Sequence, residues 1–274
     1  MDRSPGSRMS LIRGEALLLR SVDYGESDRI VHFLMRDCGR MTAIAKGARR
    51  SRRRFPGTLD VFNRLEIEAR RKPRASMAFL EQARLIDPFL GLRSDPARYA
   101  LASFLTEMLD RLSPEGIGAP EAERLYALAV ESLALLESVR PDSTLRVLLE
   151  LRALDALGLR PELGRCVRCG RMPGADLDAE HSVSFFVPDG GIVCSTCGLG
   201  LDGLVSMQLG TLRTLQEGLQ IDTAQLSSVQ LSPEALAQSE CLVFRFQRFH
   251  VGVELRSERF LSEMLPVASE PPTA

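Results

Sequence analysis

The sequence predicts a multidomain α+β protein, in which an N-terminal OB-fold β-barrel precedes an α-helical domain with an inserted four-cysteine, zinc-finger-like hairpin. Three observations support this prediction. Apolar residues alternate with period two as far as about Ile86, they recur with helical spacing afterwards, and two Cys-x-x-Cys pairs interrupt the helical part. The chain has 274 residues, which is long enough for two domains.

Five segments with strand-like alternation lie between residues 11 and 86, and turn-rich sequences separate them. They read LIRGEALLLRS, RIVHFLMRD, RMTAIAKG, LDVFNRLEIEAR and SMAFLEQARLI. Five short strands in about 80 residues are typical of a small closed or nearly closed barrel. We therefore expect a barrel domain at residues 11–87, preceded by a flexible N-terminus at residues 1–10.

After Asp87-Pro88 the apolar period changes to 3.6, which predicts a helical domain at residues 88–265 and a flexible tail at residues 266–274. The helix from Ser143 to Gly158 is apolar around most of its circumference, so we expect it at the centre of a bundle. Further helices are expected from Pro96 through Leu112, from about Pro120, at about 206–218 and at 232–249, and RSERFLSEMLP is expected to end the ordered part.

Two Cys-x-x-Cys pairs give the strongest chemical signal. Each pair is followed by glycine, and 24 residues separate them: Cys166 and Cys169, then Cys194 and Cys197. Two such turns supply the four thiolates of a tetrahedral zinc site. Ser184–Val187 and Ile192–Cys194 flank Pro-Asp-Gly-Gly, which predicts a hairpin that brings the pairs together within an insertion at residues 162–203. The 24 residues between the two pairs exceed the roughly 15–20 that are typical of such zinc sites. A surface insertion at MPGADLDAEH would account for the additional residues.

A single Zn²⁺ bound by four thiolates has no open position for water, so we expect a structural ion. Reduced or redox-active cysteines are the alternative, and His181 is a less favoured fourth ligand. The zinc-deaminase signature is missing, no Walker A motif or G-x-S-x-G is present, and Gly198-x-Gly200-x-x-Gly203 does not follow a strand. The sequence therefore gives no support to a zinc deaminase, an ATP-driven motor or a serine hydrolase.

No apolar run approaches the roughly 20 residues of a membrane span, and the first ten residues lack the apolar core of a secretory signal. We therefore expect a cytoplasmic protein without membrane contact.

A basic segment lies between the third and fourth predicted strands. AKGARRSRRRFPG has six cationic side chains in positions 46 to 54, and the window from Arg40 to Arg74 has a net charge of +9 in a chain of net charge −1. Charge runs are usually solvated loops, but the position of this segment between two strands of a small barrel favours nucleic-acid binding. Phe55 is a candidate for base stacking, and Phe33, Phe62 and Phe79 are expected in the core. The candidate DNA-binding residues are Lys46, Arg49, Arg50, Arg52, Arg53, Arg54, Arg71, Lys72 and Arg74.

Four segments resemble the RecO family of bacterial DNA repair proteins over about residues 11–265. They are YGESDRIVHFLMRDCGRMTAIAKGARRSRRRFPGTLDVFNRLEIEARR, LIDPFLGLRSD, LASFLTEMLDRLSPEG and RFHVGVELRSERFL, with Y-G-E-S-D and A-K-G-A-R-R the most specific parts. The resemblance implies an N-terminal OB barrel and a helical domain that carries a four-cysteine zinc site in many members. Some members lack the cysteines, which implies a structural role for the metal.

The resemblance also implies a non-enzymatic recombination mediator located at the nucleoid. Such a protein binds single- and double-stranded DNA, anneals complementary strands, contacts single-strand binding protein and, with RecR, helps to load RecA in the RecF/RecR gap-repair pathway. Cationic candidates for the acidic tail of single-strand binding protein are Arg245, Arg248, Arg256 and Arg259. The alternative is a zinc-stabilised protein adaptor, whose basic window binds an acidic partner and which has no DNA activity of its own.

Overall fold

The computed structural model describes residues 9–51, 53–174, 178 and 180–265. The predicted contact of Arg52 with DNA, most of both predicted flexible ends and part of MPGADLDAEH lie outside these residues. The chain divides into two compact units: residues up to Leu92 with Thr106–Glu137, and Arg93–Leu105 with the residues from Ser138 onward. The domains at residues 11–87 and 88–265 stay a prediction.

Five strands form a closed barrel in the order β1-β2-β3-β5-β4. The pairing of β3 with β5 is parallel, through Ala43–Ala78 and Ile44–Phe79, and the other pairings are antiparallel. This order is that of the five-stranded OB-fold barrel. The predicted barrel is therefore confirmed, with strands β1 (Ser10–Tyr24), β2 (Asp28–Met35), β3 (Gly39–Ala45), β4 (Arg64–Arg71) and β5 (Ala78–Asp87).

The barrel encloses an apolar core to which every strand contributes. Along β3, inward residues that are buried alternate with outward residues that are partly exposed. The expectation for the aromatic residues is partly wrong: Phe33 and Phe62 are buried, but Phe79 is partly exposed on the outer face of β5, and Phe55 fills the core instead. The core includes Ala16, Leu18, Val31, Phe33, Met41, Ala43, Phe55, Leu65, Ile67 and Leu80.

The second half of α1 (Pro96–Leu112) and nearly all of α2 (Ala119–Ser138) belong to the first unit. Asp110 of α1 lies 2.6 Å from Nδ1 of His32 and 3.4 Å from Arg40, both on the outer face of the barrel. From α2, the Tyr126 hydroxyl lies 3.2 Å from the guanidinium of Arg64. These contacts cover part of the outer face of the barrel.

Helix α3 (Ser143–Ala156) is buried on nearly all sides, as its apolar circumference predicts. It contains a buried ion pair of Arg146 and Glu150 at 2.8 Å, and Arg146 also donates to the carbonyl of Leu265 at 2.8 Å. The remaining helices of the second unit are α4 (Leu209–Gln220), α5 (Pro233–His250) and α6 (Ser257–Met264). Within the described ranges, no helix combines the length and hydropathy that crossing a membrane requires.

A three-stranded antiparallel sheet interrupts the helices of the second unit. Its order is β7-β6-β8, with β6 (Ser182–Phe186), β7 (Gly191–Val193) and β8 (Val205–Gln208). The hairpin of β6 and β7 is the predicted one, and Ser184 pairs with Val193. The prediction of a helix from about residue 206 is wrong at its start, because Val205 and Met207 are buried on one face of β8 and the helix begins at Leu209.

Candidate nucleic-acid interface and metal centre

The basic loop, defined as residues 46–57, begins where β3 ends and is held by the turn between β1 and β2. The backbone N–H of Gly47 donates to Oδ1 of Asp28 at 2.8 Å, and the N–H of Arg49 donates to the carbonyl of Ser27 at 3.0 Å. Gly47 has φ of 66°, a left-handed conformation that glycine adopts at little cost. The Y-G-E-S-D and A-K-G-A-R-R segments are therefore in direct contact.

Asp28 supplies the charged anchor of the basic loop. The hydrogen bond from Gly47 is the main cause that lowers the pKa of Asp28; burial opposes it, while the Ser27 hydroxyl and the charge of Lys46 add to the lowering. This role of Asp28 was not predicted from the sequence. The sequence did contain one indication of it, because Asp28 belongs to Y-G-E-S-D, one of the two segments that resemble the RecO family most specifically.

Arg49 is held loosely by an exposed acid. Its guanidinium lies 3.4 Å from Asp23, which also pairs with Arg29 at 3.1 Å, and it donates to the carbonyl of Glu26 at 3.3 Å. The side chains of Asp23 and Arg49 are 53% and 43% exposed. Ion pairs this exposed typically contribute about 0–1 kcal/mol, so a phosphate can take the place of Asp23.

The second half of the basic loop is fixed by an inward aromatic ring. Phe55 is only 4% exposed and belongs to the barrel core, so it is not available to stack on a base, contrary to the prediction. Arg54 lies over this ring with its guanidinium carbon 5.1 Å from the centroid, and it donates to the carbonyl of Lys46. The N–H of Ala83 on β5 donates to the carbonyl of Arg54 at 3.4 Å.

A surface groove of about 890 Å³ lies between the basic loop and the outer face of β4 and β5. Arg53 and Arg54 line one side, and the other lining residues include Glu66 and Glu68. Glu66 pairs with Arg84, and Glu68 pairs with Arg13 at 3.0 Å. These two pairs neutralise Arg84 and Arg13, so the positive charge of the groove comes from Arg53 and Arg54.

The remaining cationic candidates lie at the turn between β4 and β5, next to the start of β5. Arg71, Lys72 and Arg74 are exposed there. At the same junction, Nζ of Lys46 lies 5.5 Å from the ring centroid of Phe79. The described candidates thus lie in one loop and one turn that meet at the first residues of β5.

Cys166, Cys169, Cys194 and Cys197 form a compact cluster in the second unit, with all four Sγ atoms within 4.8 Å of one another. Cys169 Sγ lies 3.7 Å from Cys194 Sγ. That distance is too long for a disulfide, at about 2.05 Å. It agrees with the edge of about 3.8 Å that a tetrahedron with metal–sulfur bonds of about 2.3 Å requires. The cysteines therefore fit one tetrahedral metal ion, and the exposed His181 is not part of the cluster.

The hairpin of β6 and β7 positions the first cysteine pair. The N–H of Val167 donates to the carbonyl of Ile192 at 2.9 Å, and the N–H of Ile192 donates to Glu162 at 3.0 Å. A Cβ atom on Gly191 would lie 2.3 Å from Val167 and 2.8 Å from the Glu162 carbonyl, so a side chain does not fit there. In both cysteine turns, the N–H of the glycine after the second cysteine donates to the carbonyl of the first cysteine. The distances are 2.8 Å from Gly170 to Cys166 and 2.9 Å from Gly198 to Cys194.

The cysteine turns favour thiolates at two positions. Burial raises the pKa of Cys166, but hydrogen bonds from the N–H groups of Cys194, Cys169 and Arg168 outweigh it and lower that pKa to about 6. The N–H of Cys197 lowers the pKa of Cys194. Hydrogen bonding to Cys194 and the other sulfurs raises the pKa of Cys197 to about 12. The turns therefore favour thiolates at Cys166 and Cys194, and a bound cation would neutralise them.

Comparison with known proteins covers both units. The N-terminal model of recombination protein O matches residues 9–89, and the C-terminal model matches residues 93–259. The chain is 37% identical over 257 residues to the DNA repair protein RecO of Anaeromyxobacter sp. (strain Fw109-5), covering 93% of this chain and 96% of that relative. It is 34% identical over 253 residues to the DNA repair protein RecO of Myxococcus xanthus (strain DK1622), covering 91% and 96%. The chain belongs to the RecO family of DNA repair proteins.

Proposed function

We propose that this protein is a recombination mediator without enzymatic activity. It binds single- and double-stranded DNA, anneals complementary strands and, with RecR, helps to load RecA onto DNA coated by single-strand binding protein in the RecF/RecR pathway. Membership of the RecO family supports this proposal. The observation that carries it is the exposed basic loop on an OB barrel, anchored by Asp28.

Annealing requires two negatively charged strands to approach each other, and the basic loop lowers their repulsion. Arg49, Arg50, Arg53 and Arg54 of the loop are exposed. Guanidinium groups can bind phosphates through two parallel hydrogen bonds, and each neutralised phosphate releases counterions. No covalent bond forms or breaks in annealing, so no nucleophile is needed.

We infer that the metal is one structural Zn²⁺ ion, held by Cys166, Cys169, Cys194 and Cys197. Four thiolates in tetrahedral geometry are typical of structural zinc. The ion would link the two cysteine turns and so stabilise the sheet of β6, β7 and β8. The shell has no open position, so the proposed role is confined to stability.

For the acidic tail of single-strand binding protein, the candidates remain the arginines near the C-terminus. Arg248 lies over the ring of Phe244 with its guanidinium carbon 5.4 Å from the centroid, and Phe244 is 44% exposed. A cation beside an exposed ring suits an acidic peptide with an apolar residue. We place the protein in the cytoplasm, at the nucleoid.

A strand-annealing assay with complementary oligonucleotides coated by single-strand binding protein tests the proposed function. The wild-type protein should accelerate annealing, and a variant with Arg49, Arg50, Arg53 and Arg54 replaced by Glu should not. An adaptor without DNA activity would bind RecR or single-strand binding protein but would leave annealing unchanged and would not bind the bare oligonucleotide. That result would reject the mediator function.

A further inference from the structure

Phe79 is an aromatic residue in a barrel strand whose side chain is partly exposed on the outer face, unlike the buried aromatic residues of the barrel. The barrel sequence at residues 10–87 has five aromatic residues, of which Phe33, Phe55 and Phe62 are at most 4% exposed. Tyr24 lies at the turn between β1 and β2 and is 55% exposed. Phe79 lies on β5 and is partly exposed, between the buried residues on either side of it.

Phe79 continues an apolar strip across three strands. It is the Cα partner of Ile44 on β3, and Ile44 is the Cα partner of Ile30 on β2. All three side chains are partly exposed, whereas Ala43 and Ala78, which precede Ile44 and Phe79, are completely buried. Because side chains alternate between the faces of a sheet, the strip lies on the outer face of the barrel.

Cationic side chains lie on both flanks of this strip. Lys46, the first residue of the basic loop, places Nζ 5.5 Å from the ring centroid of Phe79. On the other side, Arg70 of β4 is the Cα partner of Phe79 and pairs with Glu81 at 2.9 Å. An aromatic ring between cations is the combination that OB-type barrels use to bind single strands, with the ring for a base and the cations for phosphates.

We propose that Phe79 is a stacking position for one unpaired base of single-stranded DNA, with Ile44 and Ile30 extending the apolar platform. An exposed cation–π contact is weaker than the stacking of a base on an aromatic ring, so a base displaces the ammonium of Lys46. The ammonium then neutralises the neighbouring phosphate. This inference rests on the proposed binding of DNA. It also explains how the protein could distinguish single-stranded from double-stranded DNA, because bases within a duplex do not present a free face.

A single tryptophan tests the stacking directly. The chain has no tryptophan, so Phe79→Trp gives a protein with one fluorescent indole at this position. Ile86→Trp is the matched control: Ile86 is 42% exposed on the same strand and lies seven residues further along, at roughly 23 Å. Oligo(dT) should quench the emission of Phe79→Trp, whereas an abasic oligomer of equal length or a duplex should not. The emission of Ile86→Trp should stay unchanged with all three.

A second variant, Phe79→Leu, keeps an apolar side chain and removes the ring. Its affinity for oligo(dT), measured by anisotropy of a labelled strand, should fall at least about fivefold, with duplex affinity unchanged. Equal losses for both nucleic acids would mean a structural role and would overturn the stacking proposal. Normal oligo(dT) binding without quenching of Phe79→Trp would overturn it while leaving the proposed function intact. If the wild-type protein does not bind oligo(dT) or duplex, both proposals fail.

Discussion

The backbone N–H of Gly47 donates a hydrogen bond to Oδ1 of Asp28 at 2.8 Å, across 19 positions of the sequence. This bond joins the two segments of the chain that resemble the RecO family most specifically. It fixes the start of the basic loop before any nucleic acid binds. A preordered loop loses less conformational entropy on binding, so the bond should contribute to DNA affinity without touching DNA.

Replacing Asp28 separates the hydrogen bond from the charge. Asp28→Asn keeps an oxygen acceptor and removes a negative charge beside the loop, so single-stranded DNA should bind at least as tightly as to the wild-type protein. Asp28→Ala also removes the acceptor, and binding should weaken although the net charge is the same. Fluorescence anisotropy with a labelled oligonucleotide compares the two variants. Identical affinities for Asn and Ala would show that the bond does not position the loop.

The contribution of the Asp28–Gly47 hydrogen bond to DNA affinity should also be independent of pH near neutrality. The pKa of Asp28 lies below the ordinary value of 3.8, mainly because of the bond from Gly47. A lowered pKa means that the stabilisation is complete above the ordinary value and is lost as pH falls through the folded-state pKa. The ratio of wild-type to Asp28→Ala affinity should therefore stay constant from about pH 5 to 8. A ratio that changes across this range would contradict the assignment.

Phe55 should matter for stability and not for stacking. Because it is 4% exposed in the barrel core, Phe55→Ala should lower the free energy of unfolding by about 3–5 kcal/mol, measured by urea denaturation. Phe55→Leu keeps most of the apolar volume, and its affinity for single strands should match that of the wild-type protein. A folded Phe55→Leu variant that no longer binds single strands would show that this ring contacts the bases.

The metal centre should hold one zinc ion, which native mass spectrometry can detect. Cys169→Ser or Cys194→Ser removes one ligand and should abolish stoichiometric zinc. Cys241→Ser is the matched control, since Cys241 lies on α5, outside the cysteine cluster, and this variant should keep the ion. A wild-type protein that carries no metal, with its thiols reduced, would overturn the zinc assignment.

Local patterns in the sequence predict most of the fold. The alternation of apolar residues identifies all five barrel strands, and helical spacing identifies α1, α2, α3 and α5, because each pattern reflects which side of one element faces the core. The four-residue strand β8 was missed because its alternation is too short to distinguish from the first turn of α4. The cysteine spacing indicates the metal cluster directly.

The details of the candidate DNA interface depend on contacts between distant residues, which one sequence does not reveal. The anchoring role of Asp28 exists only because the barrel places the β1–β2 turn beside the end of β3. Phe55 was expected to be exposed and Phe79 to be buried, and the structure shows the reverse because tertiary contacts decide which way each ring points. A loop ring turns inward to fill the barrel, and the register of β5 turns a strand ring outward.

The salt dependence of single-strand affinity tests the central claim, that the basic loop neutralises DNA phosphates. Each phosphate contact contributes about −0.7 to the slope of log K against log salt. Arg49→Glu with Arg50→Glu should therefore make the slope shallower by about 1.4. The control reverses the same charge at Arg140 and Arg160, whose side chains are 75% and 49% exposed in the other unit, and should keep the wild-type slope. A loop variant with the wild-type slope, or a control that changes as much as the loop variant, would contradict the account.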